Sequence, residues 1–221
     1  MIVKFKCEYN GKNFNGFQRL PKGRSVQGVL EQAFSKYIGQ DVAIHGSGRT
    51  DAGVHAVGQV CSFELDHNIC GSASDGLYKM LCAVNSFLDA DVVVKDIEIA
   101  PKGFHARYSA KRKTYLYRVY VGRTRSPVRD DFYHQIYEMP NLNEATDFAK
   151  KFLGKQGMVR EGVEREVYSF DIEQRGGDEI WFWVCGNGFL RKAVRTMVGE
   201  VLYKRACTVP AKGLTLWSVE Y

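Results

Sequence analysis

Residues 45–58 read His45-Gly46-Ser47-Gly48-Arg49-Thr50-Asp51-Ala52-Gly53-Val54-His55-Ala56-Val57-Gly58. The glycines let backbone pass close to a ligand and allow positive φ. Arg49 and Asp51 are two apart, so an extended backbone puts them on one face and permits an ion pair. A carboxylate held by an arginine stays ionised and aimed, as a nucleophile or general base requires. The same Arg-x-Asp pair serves equally well as a structural latch. The stretch is not a Walker A loop, and no GxGxxG follows a strand. His45 and His55 are conceivable ligands, but no further His, Cys or carboxylate stands at metal spacing, so no metal is expected.

The flanks carry alternating signals. Upstream, Val3, Phe5, Cys7 and Tyr9 alternate with charged residues, the period-2 pattern of a strand. Ser25 reads as the N-cap of a helix running to Ile38, with Val26, Leu30, Ala33, Phe34 and Tyr37 on one face and Gly39 as its C-cap. Downstream, residues 57–65 read as a strand with Val57, Gln59, Cys61, Phe63 and Leu65 on one side. A helix through Leu77 to Leu88 and a strand over Val92 to Ile99 follow. The second half repeats the grammar. It has a strand over Thr114 to Val121, a helix through Leu142 to Phe152 and a strand pair around Gly176-Gly177. A helix over Phe189 to Leu202 and a strand over Leu214 to Val219 complete it. Two α+β lobes are expected, joined near Pro101 to Ser109.

Composition narrows the class. The 221 residues are 45% hydrophobic and 25% charged, which excludes wholesale disorder. The N-terminal MIVKFKCEYN has no long apolar core, so a targeting leader is not expected, nor is a membrane span. A soluble, cytoplasmic protein is the expectation. Cys7, Cys61, Cys70, Cys82, Cys185 and Cys207 form no CxxC pair, and buried free thiols are the usual reading for those in apolar runs. The net charge of +6 is uneven: Arg107, Lys111, Arg112, Lys113, Arg118, Arg123, Arg125 and Arg129 fall in a stretch without Asp or Glu. Without those eight, 23 basic residues face 25 acidic ones, so the positive excess belongs to this stretch.

With these residues in hand, the chain resembles the tRNA pseudouridine synthases of the TruA type. The hallmark is Gly48-Arg49-Thr50-Asp51-Ala52-Gly53-Val54-His55-Ala56. Further similarity lies in Tyr9-Asn10-Gly11, Gly16-Phe17-Gln18, Phe104 to Ala110 with Lys113-Thr114-Tyr115-Leu116-Tyr117, Gly186 to Leu190 with Val194 to Gly199, and Pro210 to Leu216. The resemblance runs nearly end to end. It implies an α+β pseudouridine synthase fold, two α+β lobes with antiparallel or mixed sheets meeting at a central cleft. The lobes would be residues 1–104, carrying the aspartate loop, and residues 105–221.

The resemblance also implies a reaction and its residues. The reaction is isomerisation of uridine to pseudouridine in the tRNA anticodon stem-loop, around tRNA positions 38–40, with no cofactor. Asp51 is then the catalytic carboxylate, attacking ribose C1′ or taking a proton from C2′, and Arg49 its pairing partner. Tyr115 would stack on the uracil, while Tyr115 and Tyr117 share a strand face and one of them belongs to the core. Arg195 would salt-bridge the aspartate. Leu216, His55 and Arg107 are the implied pocket residues, with core packing an equal explanation for Leu216. Lys22, Arg24, Arg112, Lys113, Arg123 and Arg125 are the expected contacts to RNA backbone. tRNA is the implied partner, and a homodimer is implied with it.

The family's second-lobe Asp-Phe-x-x-Phe is missing from Phe152 to Arg160, and the arm before the last strand is cut to Glu200 to Thr208. Two other readings stand beside the enzyme: a non-catalytic tRNA-binding or RNA-chaperone protein, and a carboxylate-dependent hydrolase of a small substrate. The hydrolase lacks a second acid or base at useful spacing.

Overall fold

The computed structural model describes residues 1–66, 73–160 and 163–221, so the expectation for Cys70 lies outside the described residues. The chain divides into two compact units, Met1–Ala110 with Tyr221, and Lys111–Glu220. No helix among the described residues is long and apolar enough to cross a membrane.

The first unit contains β1 (Ile2–Tyr9), α1 (Val26–Ile38), β2 (His45–Gly46), β3 (His55–Glu64), α2 (Ala73–Phe87) and β4 (Val92–Ala100). β1 lies between β4 and β3, antiparallel to both, and β2 adds to β3. Val3 opposes Phe63 and Phe5 opposes Cys61. The alternation of β1 buries Val3, Phe5, Cys7 and Tyr9. Phe34 of α1 fits between Phe5 and Phe63, with ring centroids at 4.8 and 4.9 Å. Ser25 caps α1 through the Gly28 N–H, and Gly39 ends it at φ 81°, where a side chain would be strained.

β3 departs from the one-sided expectation. Gln59, Cys61, Phe63 and Leu65 are buried, but so are Val60 and Ser62, while Val57 is exposed. The opposite face is covered by the segment after β4. Its Ala106 N–H donates to Ser62 Oγ at 3.0 Å, and its Ala106 carbonyl accepts from the Tyr221 hydroxyl at 2.8 Å. A strand covered on both faces loses the alternation that marks a half-buried one. Cys7 and Cys61 are buried free thiols with sulfurs 3.9 Å apart, and burial pushes the Cys61 thiol up; Cys185 is half-buried.

The second unit is built on β5 (Arg112–Val121). Around it lie β6 (His134–Ile136), α3 (Leu142–Ala149), β7 (Gly154–Arg160), β8 (Val163–Arg175), β9 (Glu179–Gly186), α4 (Ala193–Tyr203) and β10 (Leu214–Glu220). β10 pairs antiparallel with β5, which continues through β9 and β8 to β7, while β6 joins β5 in parallel. The sheet is therefore mixed. Gly176 and Gly177, at φ 56° and 86°, close the β8–β9 hairpin as their pairing predicts. Alternation along β9 buries Ile180, Phe182 and Val184 and leaves Trp181 and Trp183 half-buried.

α4 begins later than its pattern suggests. Lys192 sits at φ 64° in the left-handed region, so residues 189–192 form a turn rather than helix. Phe189 is used elsewhere: its ring stands edge-on to Tyr115, centroids 5.4 Å apart. The shortened return after α4 is tied back to it. Thr196 and Thr208 hydroxyls are 3.0 Å apart, and a Cβ on Gly199 would lie 2.3 Å from the Cys207 carbonyl oxygen.

Candidate functional site

In the first unit the aspartate loop is fixed on both sides of Asp51. The Ser47 hydroxyl donates to Gln59 Oε1 at 2.6 Å, and Gln59 Nε2 donates to the Gly48 carbonyl at 2.9 Å. The Thr50 hydroxyl is 2.9 Å from the buried Tyr9 hydroxyl, and the Thr50 carbonyl accepts from the Phe17 N–H. After the aspartate, the Val54 N–H returns to the Asp51 carbonyl at 3.2 Å and the Gly53 N–H reaches the Phe14 carbonyl. Glycine is required where other chain segments press on the loop. A Cβ on Gly11 would lie 2.1 Å from the Val54 oxygen, and one on Gly16 would lie 2.9 Å from the Thr50 oxygen. Asp51 itself is half-exposed on this rigid frame.

Arg49 is placed differently from the sequence expectation. It is exposed, and its Nη1 donates to Gln18 Oε1 at 3.0 Å. His55 is buried, and its Nδ1 accepts from the Gly11 N–H at 3.0 Å. That bond leaves the ring proton on Nε2 and makes His55 a brace between the Gly11 turn and β3. In the segment after β4, the Arg107 N–H donates to His105 Nδ1, and the Arg107 guanidinium lies 5.5 Å from the Tyr108 ring. Burial, first, and the nearby His45 hold His105 below its ordinary value.

In the second unit the two tyrosines of β5 separate clearly. Tyr117 is fully buried, its hydroxyl donates to the Pro210 carbonyl at 3.0 Å, and burial pushes that hydroxyl well up. Tyr115 is 8% exposed, with Phe189 on its ring edge. Leu216 of β10 lies opposite Tyr115 in register and is fully buried. Arg195 projects from α4, and its Nε donates to the Val209 carbonyl at 2.7 Å.

The sequence signature described as tRNA pseudouridine synthase matches residues 7–109, which include the whole aspartate loop. The similarity extends over the full chain in individual relatives. The tRNA pseudouridine synthase A of Ruminiclostridium cellulolyticum is 33% identical, over 99% of this chain and 99% of its own. That of Anoxybacillus flavithermus is 36% identical, over 99% and 98%. That of Lacticaseibacillus casei is 40% identical, over 90% and 82%. The chain belongs to the tRNA pseudouridine synthase family.

Within this family member the basic residues fall into two groups. Lys22, Arg123 and Arg125 are exposed and without an ion-pair partner among the described residues. Arg112 is half-exposed, 3.6 Å from Glu220 and 5.3 Å from the Tyr168 ring, and Lys113 lies next to it on β5. The others are structural. Arg24 binds Asp91 with both Nη atoms at 2.7 Å, reaches Asp89 at 2.8 Å and stacks on Phe14. Its expected place against RNA is thus taken by a clamp between residues far apart in sequence. Arg118 is packed between Phe132 and Tyr133, and Arg129 pairs with Asp178 and Glu179.

Two supporting residues escaped the sequence reading. Gln59 looked like one more residue of an alternating strand, yet its amide is the loop's anchor. Asn187 accepts from the Glu166 N–H through Oδ1 and donates to the Glu164 carbonyl through Nδ2. Asn187 lay inside the Gly186 to Leu190 similarity, but nothing there foretold which backbone groups it bonds.

Proposed function

We propose that this chain isomerises uridine to pseudouridine in the anticodon stem-loop of tRNA, around tRNA positions 38–40. The observation that carries the reading is Asp51, presented half-exposed on a loop whose neighbours Ser47, Gly48, Thr50 and Val54 are all held in place. Relatives bearing the name tRNA pseudouridine synthase A along the full length support the same reading.

The chemistry conserves mass. The N1–C1′ bond of the uridine breaks, the uracil turns, and a C5–C1′ bond forms; the C5 proton leaves and N1 gains one. No oxidant, reductant or group donor is consumed. Asp51 attacks C1′ or takes the C2′ proton. Tyr115 offers its ring to the uracil and its hydroxyl to the proton transfer at C5. Arg195 and Leu216 of the second unit, and Arg49 and Arg107 of the first, are the further residues that the family resemblance implies for the reaction. Lys22, Arg112, Lys113, Arg123 and Arg125 grip the RNA backbone. The enzyme works as a homodimer in the cytoplasm, as the family resemblance implies.

The test uses unmodified tRNA labelled with tritium at uridine C5. Tritium release and chemical mapping of pseudouridine are expected with the wild-type chain and absent with Asp51→Asn, which still binds tRNA. Binding without release across a panel of tRNAs would replace this reading with that of a non-catalytic tRNA-binding protein.

A further inference from the structure

Arg165 of β8 is a half-buried cation. Its Nε is shielded from solvent and lacks a hydrogen-bond partner, and no ion pair holds its guanidinium among the described residues. Arg118 shares the unpartnered Nε, but Arg118 has its own explanation in Thr215 and two aromatic rings. Arg165 has none. A guanidinium cannot shed its proton, and shielding its Nε from water without an acceptor is costly.

Its surroundings are built to hold it. Glu164 and Glu166 flank it on the strand and point to the other face. Glu164 is occupied by Lys155 at 3.1 Å. The backbone of both glutamates is bonded to the Asn187 side chain, which fastens the 186–189 loop across β8 at the level of Arg165. Gly188 then leaves room for the guanidinium: a Cβ there would lie 2.7 Å from Arg165 Nη1. The next residue, Phe189, is the one standing edge-on to Tyr115. A single loop therefore presents Arg165 on one residue and supports Tyr115 with the next.

The geometry points to Arg165 as an anion-binding residue that takes a phosphodiester oxygen of the RNA next to the nucleotide held by Tyr115. This rests on the function proposed above and adds a contact to it. A planar guanidinium with several N–H groups in a fixed fork suits a phosphate better than a point charge does.

The experiment measures tRNA affinity against salt for the wild-type chain, Arg165→Gln and Arg165→Lys, with pseudouridine formation followed in parallel. Arg165→Gln is expected to weaken binding roughly tenfold and to lower the slope of log affinity against log salt by about one. Arg165→Lys keeps the charge, so it should keep the slope while losing part of the affinity. An unchanged slope and affinity in Arg165→Gln, with an active wild type, would overturn the assignment. So would a slope lost equally in both variants, which marks a disturbed loop instead of a lost charge. A thermal shift with inorganic phosphate alone, without any change of tRNA slope, would assign the site to free phosphate and also overturn it. If the wild type makes no pseudouridine while Arg165→Gln still loses slope, the anion contact stands and the enzymatic reading falls.

Discussion

Gln59 Nε2 donates to the Gly48 carbonyl at 2.9 Å, from a side chain that is itself fully buried in β3. Its Oε1 accepts from the buried Ser47 hydroxyl. One amide thus satisfies two groups of the aspartate loop three and four residues ahead of Asp51. Gln59→Leu keeps the volume and leaves the Ser47 hydroxyl and the Gly48 carbonyl without their partner. A loss of about 2–3 kcal/mol in urea unfolding is expected. Turnover should fall further than stability explains, roughly 100-fold, because a displaced carboxylate loses its attack geometry. Single-turnover rates measured well below the unfolding transition check this. Unaltered rates would mean the loop holds its shape without Gln59.

The two tyrosines of β5 should respond in opposite ways. Tyr117→Phe removes a hydroxyl bonded to the Pro210 carbonyl, so about 1 kcal/mol of stability goes and turnover stays. Tyr115→Phe keeps the ring and its contact with Phe189. Binding and stability should then survive while the rate drops by about 10²-fold or more, if the hydroxyl handles a proton. Paired denaturation curves and rates separate the two. Equal rate losses in both variants would contradict the division of labour.

Arg24 should act on stability more than on RNA. The Asp91 carboxyl is held below its ordinary value chiefly by its hydrogen bond to Arg24. A carboxylate whose folded value is depressed contributes stability that is present above its unfolded value, near 4, and is lost as pH falls through the folded one. The clamp is partly exposed, so its worth is about 1 kcal/mol. Asp91→Asn is expected to lower stability at neutral pH and to flatten the acid limb of the stability curve. Arg24→Gln should do the same with little change in the salt slope of tRNA binding. A full unit lost from that slope would return Arg24 to the RNA surface.

Local signals were legible in the sequence wherever one residue does one job. Ser25 and Gly39 bracket α1, and Gly176-Gly177 closes a hairpin, because caps and tight turns depend on a few adjacent residues. What escaped depends on distant neighbours. Arg24 looked available until Asp89 and Asp91 arrived from the other end of the unit. The helical pattern of Phe189 to Leu190 was overruled by the left-handed Lys192 and by the packing of Phe189 on Tyr115. Arg49 faced Asp51 in the period-2 reading but meets Gln18, because the loop between them is not a strand.

Glycines supply the last comparison, between a close approach and a strained turn. Gly39 has a positive φ and nothing within reach of an added Cβ, so Gly39→Ala costs conformational strain of about 1 kcal/mol and should leave turnover intact. Gly11 is the reverse case. Its added Cβ would meet the Val54 backbone oxygen at 2.1 Å, and its N–H holds His55. Backbone cannot rotate aside as a side chain does, so residues 53–55 must move. Gly11→Ala is expected to cost about 1–3 kcal/mol and to depress turnover well beyond that loss, since Gly53 and Val54 lie two and three residues after Asp51. Melting curves with single-turnover rates on both variants decide it. Proportional effects in the two would show that the Gly11 contact sets stability alone and does not aim the carboxylate.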